Sequence, residues 1–259
     1  MSRIVQFTQL GNFGRFGNQL FQYAFARAYA EKYDAVLETP TWIGEEIFNI
    51  PNTPLSCKLP THGVDVIPWG TVNIDLLGYF QTKDCFSLLS KRKLKEWFVF
   101  QDRWLPYLKP TEEVVAHSRV GDYATFWSAV FCRVSKKSFV EACLKFDIPT
   151  EKLVYLTEEN PTIDESLNDV SYSKVSNSMY GTGCYLDNGI SFLADFFRMI
   201  NSKVLLRGNS TFSFWAGFFK GENVYSPMVQ GKVGLQDVEF VEGNESAICN
   251  NTDDIIIGE

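Results

Sequence analysis

Ile4-Val5-Gln6-Phe7-Thr8, then Gly11-Asn12-Phe13-Gly14-Arg15-Phe16-Gly17, then Asn18-Gln19-Leu20-Phe21-Gln22-Tyr23-Ala24-Phe25 decide the fold. The first five residues alternate as a short strand does. A glycine-punctuated loop follows. Leu20, Ala24 and Ala28 then recur at i,i+4 with Phe21, Phe25 and Tyr29 beside them, and Glu31 and Lys32 close the polar side of a helix. Strand, glycine turn and helix together form the opening unit of a doubly wound α/β domain.

Working outward, residues 39–70 are rich in Pro and Gly and read as an irregular insertion. Ile74 to Phe80 reads as a strand and Phe86 to Phe98 as a charged helix. The pattern then restarts with an apolar strand, Val114-Val115-Ala116-His117. Helices are expected over 136–146, 190–200 and 211–219, and strands over 152–156, 203–206 and 224–225. Strands of four or five residues alternating with helices of about ten are the signature of parallel βαβ units. The segment from Leu105 to Pro110 is the expected linker. This predicts two Rossmann-like domains, 1–108 and 109–259, with an irregular tail after about residue 228.

Composition bounds the function. The 259 residues are 45% hydrophobic and 21% charged, enough apolar material for a real core. Basic side chains number 24 against 31 acidic, a net charge of −7, which argues against a nucleic-acid partner. The six cysteines, at 57, 85, 132, 143, 184 and 249, form no C-x-x-C pair, and only His62 and His117 could join a histidine metal site. No metal is therefore expected. Neither a secretory h-region nor a run of about 18 apolar residues is visible, so the chain reads as cytoplasmic without a membrane span. Asn209, Asn244 and Asn250 open N-x-S/T triplets, read as chance matches without a secretory signal.

Three stretches carry chemistry. Gly14-Arg15-Phe16-Gly17-Asn18-Gln19 puts glycines and amide side chains at a helix N-terminus, where backbone N–H groups and the dipole favour anions. It is neither a dinucleotide fingerprint nor a Walker loop. His117-Ser118-Arg119-Val120-Gly121-Asp122-Tyr123 leaves a strand at its carboxyl end, where α/β folds bind ligands, and Arg119 offers a fork of donors for phosphate. Leu205-Leu206-Arg207-Gly208-Asn209-Ser210-Thr211-Phe212 delivers two hydroxyls to another helix N-terminus, and Asp195 lies in the helix before it. Read singly, each has a plainer explanation: a tight turn, a core histidine beside a surface Arg119–Asp122 pair, and a helix cap.

Read together, in this order and at these intervals, the three resemble the α-1,2-fucosyltransferase family (glycosyltransferase family 11). That family shares a superfamily with the α-1,6- and peptide O-fucosyltransferases. Gly78-Tyr79-Phe80-Gln81 and Tyr155-Leu156-Thr157-Glu158-Glu159 add weaker matches, so the likeness runs from about residue 4 to 226. The resemblance implies a GT-B fold, two facing Rossmann-like domains with parallel sheets. It implies inverting, metal-independent transfer of L-fucose from GDP-β-L-fucose to a glycan hydroxyl, α-1,2 onto a galactose-containing acceptor. No cofactor is implied beyond the donor. Arg119 matches the arginine on the donor diphosphate, and His117 matches the histidine that helps hold the nucleotide. Asp195 matches an aspartate reading guanine edges, and Ser210, Thr211 and Phe212 match the stretch around the phosphates. Gly17 and Asn18 match the first-domain loop that meets donor and acceptor.

The base for the acceptor hydroxyl is Asp122 or one of Glu158 and Glu159, where relatives usually carry an Asp pair; Asp122 is preferred, though it could instead only orient Arg119. One departure stands out. Val120 occupies the place where relatives carry a second arginine, and Arg207 is the candidate to supply the missing charge. The alternatives kept open are a related transferase of different linkage or donor, and an inactive nucleotide-sugar or glycan-binding protein.

Overall fold

The computed structural model describes residues 3–160, 162–163, 165–167 and 192–244. The expected helix start at 190–191, Cys184, Cys249, Asn250 and the end of the tail lie outside the described residues. Two compact units emerge, one from the described residues up to Leu105 and the other from Pro106 onward.

In the first unit, β1 (Ile4–Gln6) leads through the glycine loop into α1 (Phe16–Lys32), and β2 (Val36–Glu38) and α2 (Gly44–Ile47) follow. Then come β3 (Ile74–Asp75), α3 (Lys83–Phe86) and α4 (Lys91–Trp97). The sheet order is β2-β1-β3, all parallel. Helix α1 is buried almost all round, as a helix this apolar should be. The strand expected over 74–80 pairs only briefly. The Asp65 carboxylate accepts the amides of Tyr79 and Phe80, at 2.6 and 2.9 Å, and so takes them out of any ladder. Of the helix expected over 86–98 only Lys91–Trp97 forms, because Ser90 turns the chain. Its Oγ accepts the Lys93 amide and caps α4.

The second unit runs β4 (Val114–His117), β5 (Cys132–Val134), α5 (Lys136–Lys145), β6 (Leu153–Leu156), α6 (Phe192–Asn201), β7 (Val204–Leu206), α7 (Thr211–Lys220) and β8 (Val224–Pro227). Two further strands, β9 (Gly234–Gln236) and β10 (Phe240–Glu242), end it. The main sheet has the order β10-β8-β7-β4-β6, parallel except for β10. Strand β4 is buried at every position, so it reads as a continuous apolar run rather than an alternation.

The chain after 228 is not the irregular tail expected, since it forms β9 and β10. Val238 and Phe240 are buried in the unit's core, and that burial holds β10 against β8 and β9 against β5 despite the polar, glycine-rich sequence around them. Among the described residues no helix is long and apolar enough to cross a membrane.

Candidate functional site

Strand order locates the site of the second unit. From β4 the chain passes to β6 on one side and then to β7 on the other, so the strand order reverses between the parallel strands β4 and β7. Loops leaving the carboxyl ends of two such strands diverge to opposite faces and leave a crevice, the usual ligand position of an open α/β sheet. The loop after β4 carries His117, Arg119 and Asp122. The loop after β7 carries Arg207 to Thr211.

These loops touch. A Cβ on Gly208 would collide with the carbonyl oxygen of His117 and lie 3.3 Å from its Nδ1 and 3.4 Å from the Arg119 nitrogen. Only glycine lets the two backbones pass so closely. His117 is buried beside the Phe212 ring, with centroids 5.9 Å apart, and its Nδ1 has no hydrogen-bond partner among the described residues. Burial, reinforced by the charges of Arg119 and Arg207, lowers its pKa to about 3. The ring is neutral at pH 7 and offers one donor and one acceptor.

Ser210 caps α7, its Oγ accepting the Phe212 amide at 3.2 Å, while the Ser213 hydroxyl reaches back to the carbonyls of Gly208 and Ser210. The positive end of α7 is therefore fixed at the crevice, with Thr211 in its first turn. Asn209 donates to the Cys132 carbonyl at 3.1 Å and ties this loop to β5.

Arg119 is the centre of an ionic cluster. Its Nη2 donates to Asp122 Oδ1 at 2.5 Å, its Nη1 pairs with Glu158 Oε1, and its guanidinium carbon lies 5.1 Å from the centre of the Tyr123 ring. Arg207 is placed differently from the expectation that it replaces a second phosphate-binding arginine. Its side chain is 0% exposed, its Nη1 donates to Asn244 Oδ1, and its guanidinium stacks on Phe214 at 5.0 Å. Burial lowers its pKa to about 9, still above neutrality, so it remains a cation inside the core. Asn244 was visible in the sequence only as a chance glycosylation triplet; its amide also donates to the Phe214 carbonyl at 3.0 Å.

Asp195 is fully buried in the first turn of α6, and its Oδ1 accepts the Thr162 amide at 2.6 Å. Phe192 and Phe196 of the same helix meet the Phe212 ring, which joins Asp195 to the group at one remove. The structure thus brings together His117, Arg119, Asp122, Arg207, Ser210, Thr211 and Phe212. Glu159 lies next to Glu158 but, among the described residues, it is Asp122 and Glu158 that pair with Arg119. Among the described residues, no three His, Cys, Asp or Glu side chains gather as a metal site requires.

The glycine loop of the first unit forms a separate arrangement. Gly14 has φ +83°, and a Cβ there would meet Asn18 and Tyr79 at 2.6–2.9 Å. Gln19 and Gln22 donate to the loop carbonyls of Gly14 and Phe13, while Phe13 stacks on Tyr79 at 4.5 Å. Gly17 is buried in the first turn of α1, and Asn18 Oδ1 accepts from Gln81 at 3.0 Å. Asp65, which no motif signalled, is what places Tyr79 there.

No family model matches the chain, and no curated protein matches it. Solved structures do. NodZ α-1,6-fucosyltransferase, in crystals soaked with GDP-fucose, matches with a TM-score of 0.51 and 12% identity over 94% of this chain and 100% of that one. Fucosyltransferase NodZ from Bradyrhizobium matches with a TM-score of 0.51 at 12% identity, over 94% and 99%. The fold is accordingly the α/β GT-B type with parallel sheets, shared with that fucosyltransferase.

Proposed function

We propose that this chain is an inverting, metal-independent fucosyltransferase that moves L-fucose from GDP-β-L-fucose to a galactose hydroxyl in α-1,2 linkage. The observation that carries the reading is Arg119 at the reversal of strand order, flanked by neutral His117 and the Ser210-capped end of α7. A diphosphate leaving group needs its growing negative charge met as the bond to the sugar breaks. A guanidinium and a helix N-terminus supply that without a metal. The NodZ crystals soaked with GDP-fucose and co-crystallised with GDP support the choice of nucleotide.

In the reaction the acceptor hydroxyl oxygen bonds to C1 of fucose from the face opposite the diphosphate. The C1–O bond breaks, its electron pair passes to the β-phosphate oxygen beside Arg119, and Asp122 takes the hydroxyl proton. His117, Thr211 and Phe212 hold the nucleotide, and Asp195, buried with its Oδ1 on the Thr162 amide, acts through the helix that packs on Phe212. The buried charge of Arg207 adds to the positive potential without touching phosphate, because it is sealed in the core. The reading assigns the donor to the second unit, and the acceptor, with Gly17 and Asn18, to the first.

Calorimetric titration with GDP- and UDP-sugars, followed by GDP release on simple galactosides, tests this. GDP and GDP-fucose are expected to bind and UDP-sugars not to, and Arg119→Ala is expected to cost about 10²–10³ in rate. Binding of UDP-sugars with no response to GDP sinks the proposal. Transfer in another linkage is the second reading. Val120 in place of a second arginine favours it, and nuclear magnetic resonance of the product decides the linkage.

A further inference from the structure

Both terminal nitrogens of Arg119 are occupied by carboxylates, yet the two are held very differently. Glu158 is 5% exposed and stands two residues beyond β6, where Thr157 and Asn160 close a tight turn. The backbone of Gly121 presses on it so closely that a Cβ there would collide with Oε2. Asp122 is 30% exposed and rides on a single 3-10 turn, Gly121–Ala124, at the surface.

A phosphate arriving at Arg119 would put a third anion around one guanidinium. That crowding is relieved if a carboxylate leaves. Asp122 can return to water with little loss, whereas Glu158 would be stranded in the interior without its counter-charge.

We propose that Asp122 is a latch on Arg119 that the donor's diphosphate displaces, while Glu158 is the fixed positioning residue that keeps the guanidinium in place. This rests on the transferase reading above and deepens it. Displacement frees the Asp122 carboxylate to accept a proton only after the donor is bound, so donor precedes acceptor. The acceptor hydroxyl then gives its proton to the released Oδ1 as its oxygen bonds to fucose C1 and GDP departs.

The test is calorimetric titration of the full chain with GDP, for the wild type, Asp122→Asn and Glu158→Gln. Asp122→Asn is expected to bind GDP about three- to fivefold more tightly, since the competing pair is gone. Glu158→Gln is expected to bind at least about tenfold more weakly. Opposite signs support the latch. If both variants weaken binding, Asp122 is a second anchor; if both tighten it, the carboxylates merely repel GDP. Either result overturns the proposal.

Should Glu158→Gln fail to fold, a crystal structure of the wild type with GDP decides instead. Asp122 is expected to have left Arg119 with Glu158 still paired, and a retained Asp122 pair overturns the latch. A wild type that does not bind GDP removes the transferase reading itself, an outcome distinct from wrong signs in the variants.

Discussion

At the residue scale the most consequential group is His117, because its burial in the candidate crevice is also a stability liability. Its pKa falls to about 3 in the folded chain, against 6.5 for an ordinary histidine. Between those values the unfolded chain binds a proton that the folded chain refuses. Stability therefore drops as pH falls through 6.5 and continues to drop toward 3. From pH 7 to pH 5 this amounts to about 2 kcal/mol at 1.36 kcal/mol per pH unit. Carboxylates held below their ordinary value of 4.5, such as Glu38 and Glu113, lose their contribution mainly under more acid conditions, while Glu45, raised by burial, contributes in the opposite direction, so the comparison with His117→Gln carries the test. Denaturant unfolding at pH 7 and pH 5 should show this loss in the wild type and a flatter response in His117→Gln. Equal slopes in the two proteins would falsify the assignment.

At the scale of elements, the crossing of the two crevice loops at Gly208 is the tightest constraint. Gly208→Ala drives a Cβ into the His117 carbonyl, which belongs to a buried strand and cannot move aside. We expect a loss of more than about 2 kcal/mol, with GDP binding lost as the loops part. Asn244→Ala removes an acceptor of the buried Arg207 just beyond β10, and should cost about 1–3 kcal/mol. Thermal unfolding of each variant checks both values.

These elements also mark what the sequence could and could not reveal. Helix α1 and strand β4 were legible because burial wrote itself into a single run of apolar residues. The expected strands of the main parallel sheet were legible for the same reason, with ends shifted by a residue or two. Strands β5, β9 and β10 were not. Each is three residues long, and their stability comes from partners far along the chain. In the site, Arg119 and Ser210 were legible because their motifs follow strands. The burial of Arg207 was not, since a charged side chain inside a core depends on Asn244 and Phe214, which no spacing rule connects to it.

For the whole molecule, the net charge of −7 works against a polyanionic ligand at long range, so the proposed affinity for GDP rests on the few groups where the strand order of the second sheet reverses. Ligand that binds only the folded chain stabilises it by RT ln(1 + [L]/Kd), about 2.7 kcal/mol at a hundred times Kd. For a chain of this size that corresponds to a rise of about 5–10 °C in melting temperature. GDP should produce the rise and UDP at equal concentration should not, if the proposed guanine-nucleotide donor is right. Since Arg119 carries the diphosphate in this reading, Arg119→Ala should melt at the same temperature with and without GDP. Exposed charge–charge attraction is screened by salt over about 8 Å at physiological ionic strength, whereas contacts inside a crevice are screened less. The GDP-induced rise should therefore shrink only modestly between 0.05 and 0.5 M salt, on the order of a third. A rise that vanishes at high salt would place the nucleotide on the surface, away from the buried histidine and the capped helix.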